Sequence, residues 1–366
     1  MQKMIYLCPV DWRWIKQRPQ FLAEELSKYF EIHAVYPYQN NRKGLQKKSD
    51  SPVSVAPCFS IPTFGGKLSA LNSVNRGLRR QQVSREIREV QPDCIWVTMP
   101  WQLDWLPEGN ECPIIYDCMD DYAAISMVQS ERENLIRQER EIIRRAKVVF
   151  VSSENLRRVL RERHHLPEER LVLLRNGYNA NWTRLEEEPA VHEGNLKIGY
   201  FGTIGRWFDF PMLWDSLAEN DEVEYHLYGP MERGIQVPVH DRIVYHGVVE
   251  HDELQHAAND MDALMMPFVI NDIVCSVDPI KLYEYIYLNK NILCIHYPEI
   301  QRFEPFVMFY ESRDDFFRRI RDLRRSNLMK YTQEQADEFL ARNSWQQRAA
   351  QAYDVIRTQI PTEDGK

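Results

Sequence analysis

Lys147-Val148-Val149-Phe150-Val151-Ser152-Ser153-Glu154-Asn155-Leu156 contains the decisive pattern of this chain. Lys147–Ser152 is a near-continuous apolar run, the signature of a strand covered on both faces. Ser152-Ser153-Glu154 then offers a helix N-cap with an acid in the first turn, and Ser153–Arg163 reads as an amphipathic helix. A buried strand that runs into a capped helix is one step of a parallel α/β sheet. The step recurs outward: Met4–Val10, Glu31–Tyr36, Asp93–Met99, Pro113–Asp117 and Arg170–Leu174 read as strands, and Arg18–Tyr29, Leu68–Val90 and Ser130–Ala146 as helices.

Asn176-Gly177 is a turn signal, and the acidic, Pro/Gly-punctuated stretch from Arg184 through Pro189 to Gly194 reads as an interdomain linker. The alternation then restarts. Leu196–Phe201, Val223–Tyr228, Arg242–His246, Asp262–Pro267, Asn291–Ile295 and Phe306–Phe309 read as strands; Pro211–Glu219, Asp252–Asn259, Pro279–Leu288 and Arg313–Arg325 as helices. Thr332–Ile360 reads as a final helical stretch, with Trp345, Ala349, Tyr353 and Ile356 at spacings of three and four. The expectation is α/β with two doubly wound domains, 1–185 and 186–343, and a terminal helix, 344–366, crossing back to the first. The 366 residues accommodate that at ~150 per domain.

Composition narrows the class. With 44% hydrophobic and 27% charged residues the chain is an ordinary globular protein, and no run of about 18 apolar residues marks a membrane span. The seven cysteines form no Cys-x-x-Cys pair and sit in apolar runs, so reduced thiols and a cytoplasmic setting are expected. The net charge is −8, but residues 1–190 hold 28 Lys/Arg against 25 Asp/Glu, whereas 191–366 hold 18 against 29. The first half is the one suited to an anionic surface. Nucleic acid is not expected, since no basic array interleaved with aromatics appears.

Doubly wound domains bind ligands beyond the carboxyl ends of their strands. The first loop, Pro9 to Pro19, has no glycine, and Gly202-Thr203-Ile204-Gly205 lacks a leading Gly-x-Gly, which weakens a dinucleotide reading; no Walker A loop is present. Asp260-Met261-Asp262 matches a metal-binding Asp-x-Asp but reads as acids leading into a buried strand. Asp117, Asp120 and Asp121, three acids in five residues past the strand Pro113–Asp117, are where catalytic carboxylates belong, each raising the others' pKa. In Ser276-Val277-Asp278-Pro279-Ile280-Lys281-Leu282-Tyr283-Glu284, Pro279 reads as a first-turn helix residue capped by Asp278 or Ser276. Lys281 and Glu284 then share a helical face suited to a diphosphate and a sugar diol.

The order of short motifs resembles a GT-B-type glycosyltransferase, in particular the bacterial family-four enzymes of cell-envelope polysaccharides, teichuronic-acid-type enzymes included. The matching pieces are Trp14–Pro19-Gln20, Tyr116–Asp121, Arg175-Asn176-Gly177, Gly199–Gly202, Tyr228-Gly229, His246-Gly247-Val248, Pro279–Glu284 and Ser344-Trp345. The resemblance implies two Rossmann-like domains facing across a cleft. It implies a nucleotide-diphosphate sugar donor, UDP-linked by family habit, and a saccharide or lipid-linked acceptor. Gly202 and Thr203 would bring amides to the phosphates. Lys281 would replace a metal there, so neither metal nor cofactor is expected. Glu284 would bind the ribose, and Tyr228 with His246, Gly247 and Val248 would hold the base. Ser276 and Val277 complete the donor set; one of Asp117, Asp120 and Asp121 would sit at the reacting sugar, and Asp11, Trp12, Arg18 and Pro100 would border the acceptor. One departure stands out: Ser276 occupies the position, eight before Glu284, where the family usually has a second glutamate. Two alternatives stay open, a nucleotide-sugar epimerase of the same fold and a non-catalytic sugar-binding relative.

Gly66–Val90 carries Lys67, Arg76, Arg79, Arg80, Arg85 and Arg88 against Glu86 and Glu89, with Leu68, Leu71, Val74 and Leu78 at helical spacing. It reads either as a basic amphipathic helix that docks on anionic lipid or as a helix packed on its own sheet with solvated arginines.

Overall fold

The computed structural model describes residues 1–14, 16–39, 51–62, 69–179, 194–249, 251–326 and 328–361. The proposed linker Arg184–Pro189 and residues 66–68 lie outside the described residues. The chain divides into two compact units, Met1–Gly177 with Trp345–Lys366, and Tyr178–Ser344.

In the first unit the order is β1 (Gln2–Leu7), α1 (Arg18–Leu26), β2 (Phe30–Pro37), β3 (Ser54–Cys58), α2 (Ser69–Val90), β4 (Cys94–Val97), β5 (Ile114–Cys118), α3 (Tyr122–Ile125), α4 (Gln129–Arg145), β6 (Ala146–Val151), α5 (Glu154–His164) and β7 (Val172–Leu173). All its strand pairs are parallel, in the order β3-β2-β1-β4-β5-β6-β7. The reversal of direction between β1 and β4 is the switch point where such sheets bind ligands. Every residue of β4 and β5 is buried, which is why they read as unbroken apolar runs. Ser153 caps α5 by accepting the Leu156 amide at 3.1 Å.

The second unit runs β8 (Leu196–Phe201), α6 (Phe210–Glu219), β9 (Val223–Tyr228), β10 (Ile243–Gly247), α7 (His251–Asn259), β11 (Ala263–Met266), α8 (Asp272–Cys275), α9 (Ile280–Tyr287), β12 (Asn291–Ile295), β13 (Val307–Tyr310), α10 (Arg313–Arg325) and α11 (Gln333–Arg342). Its sheet is also parallel, β10-β9-β8-β11-β12-β13, with the switch point between β8 and β11.

Three expectations are refined or corrected. The helical stretch Thr332–Ile360 is two helices: α11 ends at Arg342, and α12 (Trp345–Gln359) starts after Ser344 forms a parallel bridge with Tyr178. α12 belongs to the first unit, where Ala349, Ala352 and Ile356 are fully buried and Trp345 and Tyr353 stack on Phe21 and Tyr29 at 5.8 and 4.6 Å. Such pairs add about 0.5–1.5 kcal/mol each beyond area burial. Secondly, β3 is a strand that the apolar pattern did not reveal, because it is a sheet edge with Ser54, Val55 and Pro57 exposed. Thirdly, Val74 does not join a buried face of α2: it is exposed, while Asn75 and Val83 are buried.

Candidate functional site

In the second unit the strand ends are built from bare backbone. Gly202, after β8, donates its amide to Tyr228 O at 2.8 Å, and Gly229, after β9, donates to Gly247 O at 2.7 Å. Gly202 has φ +153° and Gly229 φ +130°, and a Cβ on Gly229 would overlap the Gly202 carbonyl. Only glycine lets the two turns approach so closely. Tyr228 lies between Phe201 at 4.8 Å and the ring of His246 at 4.2 Å, nearly parallel to the latter. His246 Nε2 is 3.0 Å from His226 Nδ1. Burial first, then for His246 the neighbouring His226, lowers the pKa of each below the ordinary histidine range.

α9 lies beside this edge. Leu282, Tyr283, Tyr285 and Ile286 are fully buried, and the Tyr285 hydroxyl accepts the Phe201 amide at 3.0 Å, tying the helix to the end of β8. That packing turns Lys281 and Glu284, one helical turn apart, away from the core; both are half-buried. A Cβ on Gly202 would overlap Lys281 Cε and lie 3.1 Å from its Cδ, so the lysine stem crosses the bare face of Gly202. Neither the Lys281 ammonium nor the Glu284 carboxylate has a hydrogen-bond or ion-pair partner among the described residues. The cap assignment is corrected: Pro279 precedes the helix, Ser276 donates to Asp272 O at 3.0 Å, and buried Asp278 is ion-paired with Arg302. Val277 accepts the Tyr297 hydroxyl on its carbonyl at 3.2 Å, and Thr203 and Val248 are exposed at the edge.

The acids of the first unit do not act as one cluster. Asp117, fully buried at the end of β5, takes both arms of Arg18 at 2.7 and 3.1 Å. Asp121 caps α3 through the Ala124 amide and accepts Arg163 at 2.6 Å. Asp120, between them, is half-buried and has no such partner among the described residues. Burial, opposed by Arg18 and reinforced by Asp121 and Asp117, pushes its pKa up to about 6. The expected mutual repulsion is thus the smaller cause and desolvation the larger.

Arg18 is not a loop residue: it opens α1, is buried, and also reaches Asn176 and the Leu174 carbonyl. Asp11 is enclosed as well, accepting Arg13 at 2.8 and 3.0 Å and the Gln39 amide at 2.9 Å. Burial works to raise the Asp11 pKa, but these donors outweigh it and hold the carboxyl below its ordinary value. Trp12 is buried, and Pro100 opens a short 3-10 turn over β4. Asp260 and Asp262 bind Lys197, the latter through its amide, so this pair is a strand anchor. Among the described residues no three His, Cys, Asp or Glu side chains gather as a metal would need, and all seven cysteines are free thiols.

Known structures align over nearly the whole chain. Sucrose-phosphate synthase from Thermosynechococcus elongatus superposes with a TM-score of 0.76 over 98% of this chain and 99% of that one, at 12% identity. Anabaena Alr3699/HepE in complex with UDP-glucose gives 0.72 over 98% and 100%, at 14% identity. The fold is GT-B. In sequence, the chain is similar to the Bacillus subtilis (strain 168) protein named for teichuronic acid biosynthesis, glycosyltransferase TuaH, 22% identical over 240 residues. That match spans 60% of this chain and 60% of its relative. No protein-family model matches the chain.

In this GT-B chain the structure gathers Gly202, Tyr228, His246 and Lys281 at one sheet edge and places Asp117, Asp120 and Asp121 together at the other unit's edge. Two positioning groups were not foreseen. Gly229 was signalled by the Tyr228-Gly229 dipeptide at a strand end. Arg163 carried no signal, lying 42 residues from the acid it holds. The arginines of α2 are partly spent within the chain: Arg80 pairs with Glu108, Arg85 with Glu89 at 2.7 Å, Arg76 with Asp104 at 3.8 Å, and Arg79 lies over Trp105. No helix among the described residues is long and apolar enough to cross a membrane.

Proposed function

We propose that the protein is a glycosyltransferase that moves a sugar from a nucleotide-diphosphate sugar, UDP-linked, to a saccharide or lipid-linked acceptor in cell-envelope polysaccharide synthesis. The observation that carries the reading is the Lys281 side chain, without a partner among the described residues, lying over Gly202 next to the glycine turns that end β8 and β9 and the Tyr228–His246 stack. A half-buried cation without a carboxylate beside bare backbone is made for a diphosphate, and it supplies the charge that a divalent ion would otherwise bring. Glu284 on the same face binds the ribose hydroxyls, while Tyr228, His246, Gly247 and Val248 bound the base. Gly202 and Thr203 meet the phosphates, and Ser276 with Val277 borders the donor sugar.

The first unit supplies the acceptor side and Asp120, the acid poised to take or share a proton near neutral pH. Asp117 and Asp121, neutralised by Arg18 and Arg163, hold the loop. An anionic membrane surface facing Val74 and Arg76 of α2 belongs to the same reading and is tested by sedimentation with anionic vesicles at low salt. The deciding experiment is calorimetric titration with UDP in the presence of magnesium or chelator. Tight, chelator-insensitive binding that Lys281→Ala weakens by about 1–3 kcal/mol is the expected result. Unchanged affinity in the variant, or binding that requires magnesium, removes Lys281 from the site. Incubation with donor alone separates the rival: a released epimer would make the protein an epimerase.

A further inference from the structure

At the far edge of the first sheet a second set of side chains is built with as much care as the acids after β5, and nothing above uses it. Tyr38 and Phe59 follow β2 and β3 at their carboxyl ends, with ring centroids 4.9 Å apart. The Arg13 guanidinium lies over the Tyr38 ring at 4.3 Å. Arg13 is fixed there by buried Asp11, which takes Nε at 3.0 Å and Nη2 at 2.8 Å, leaving Nη1 as the nitrogen without a carboxylate partner. Asp11 also accepts the Gln39 amide, tying the Arg13 anchor to the backbone beside Tyr38. Gln82 of α2 fixes Phe59 from the other side, its amide bonding the Phe59 N–H and C=O at 2.9 Å each. Phe59 nevertheless leaves 52% of its surface bare. An aromatic with both backbone polar groups clamped by one side chain is held in place without being buried, an arrangement that core packing does not call for.

We infer that Arg13, Tyr38 and Phe59 form a saccharide-binding platform for the acceptor, at a subsite remote from the reacting sugar. The inference rests on the acceptor reading of the first unit given above. The chemistry selects the occupant. A pyranose ring presents an apolar face of C–H bonds that fits the negative face of an aromatic ring, and hydroxyls at its rim that accept from a guanidinium. Asp11 cancels the Arg13 charge, so among the described residues the platform's own side chains present no net charge to hold a phosphate or an anionic headgroup. A lipid tail would gain nothing from the guanidinium. Position then fixes the size of the ligand. Phe59 and Asp120 follow β3 and β5, four strand steps apart, which is roughly 19 Å at ~4.8 Å per step. The ring on the platform and the ring at Asp120 are therefore different residues of one oligosaccharide, and the platform contributes binding energy away from the reacting centre.

The test uses the full-length chain. Fluorescently labelled wild type, Phe59→Ala and Phe59→Tyr are applied to a printed array of mono- and oligosaccharides, and UDP affinity is measured calorimetrically on the same preparations. The expected outcome is a set of oligosaccharides retained by wild type and by Phe59→Tyr but bound at least 10-fold more weakly by Phe59→Ala, with UDP affinity equal in all three. The inference is overturned if Phe59→Ala and wild type bind the same saccharides equally, or if wild type retains none. It is equally overturned if only phospholipid vesicles report the change at Phe59. Failure of wild type to bind UDP would instead strike at the donor reading, and the array result would still stand or fall on its own. Because Phe59 is half exposed and its clamp is to backbone, its truncation leaves the fold in place; coincident thermal unfolding of the three proteins verifies this.

Discussion

The two sheets share a topology yet finish their carboxyl edges in opposite ways. In the first unit the edge is made of side-chain charges, three acids matched to arginines: Asp11 to Arg13 within one loop, and Asp117 to Arg18 and Asp121 to Arg163 from other elements. In the second it is made of backbone: Gly202 donates its amide to Tyr228 O, Gly229 donates to Gly247 O, and Lys281, without a partner among the described residues, lies over Gly202. The comparison shows how one scaffold can offer two kinds of surface. Paired charges give a rigid, nearly neutral frame in which one acid without a partner among the described residues stands out, whereas glycine turns without side chains leave open space beside one cation, where an anion can approach. The groups left without partners among the described residues, Asp120 on one side and Lys281 with Glu284 on the other, are where chemistry is expected.

The largest test removes the odd acid. Asp120→Asn should lower the transfer rate by about 10²–10⁴-fold while leaving UDP affinity intact; a rate within twofold of wild type would return Asp120 to the frame. Its pH behaviour follows from the direction of its shift. The folded pKa of about 6 lies above the unfolded value of 3.8, so the folded state binds the proton more readily. Asp120 therefore favours folding as pH falls from 6 toward 4 and opposes it above, and activity should decline below about pH 6 as the carboxylate protonates. In Asp120→Asn the unfolding free energy should lose this pH dependence, as urea titrations at pH 4.5 and 7 would show.

Breaking the frame comes next. Arg18→Ala leaves Asp117 buried and uncompensated and should cost about 3–5 kcal/mol in urea unfolding. Gly202→Ala tests the other edge: the added Cβ must push Lys281 aside, so UDP binding should weaken by about 10–100-fold, the loss of one charge-assisted contact. Its stability cost should stay near 1 kcal/mol, because the clash is with a flexible stem and the strain is that of one positive φ. If Gly202→Ala instead unfolds the protein, the cradle is structural. The smallest expected effect is a control: Arg158→Ala removes an exposed pair with Glu162 and should cost no more than about 0.5 kcal/mol. A cost like that of Arg18→Ala would erase the distinction between framing and surface arginines.

Much of this architecture is written in the order of residues. Parallel strands covered on both faces must be unbroken apolar runs, so β1, β4, β5, β6, β8 and β12 announce themselves locally, as do the Ser153 cap and the glycines after β8 and β9. β3 is silent for the same reason in reverse, being an edge strand with half its residues in water. The helical stretch 332–360 has its expected boundary at 344, and the bridge of Ser344 to Tyr178 is where α11 and α12 part. The site divides along the same line. The sequence places acids, a lysine and glycines at strand ends, because topology alone puts those loops on one edge. Which acid stays unpaired was decided in three dimensions, by Arg18 reaching Asp117 across 99 residues and Arg163 reaching Asp121 across 42. Charge pairing depends on distance in space, and no local pattern encodes it.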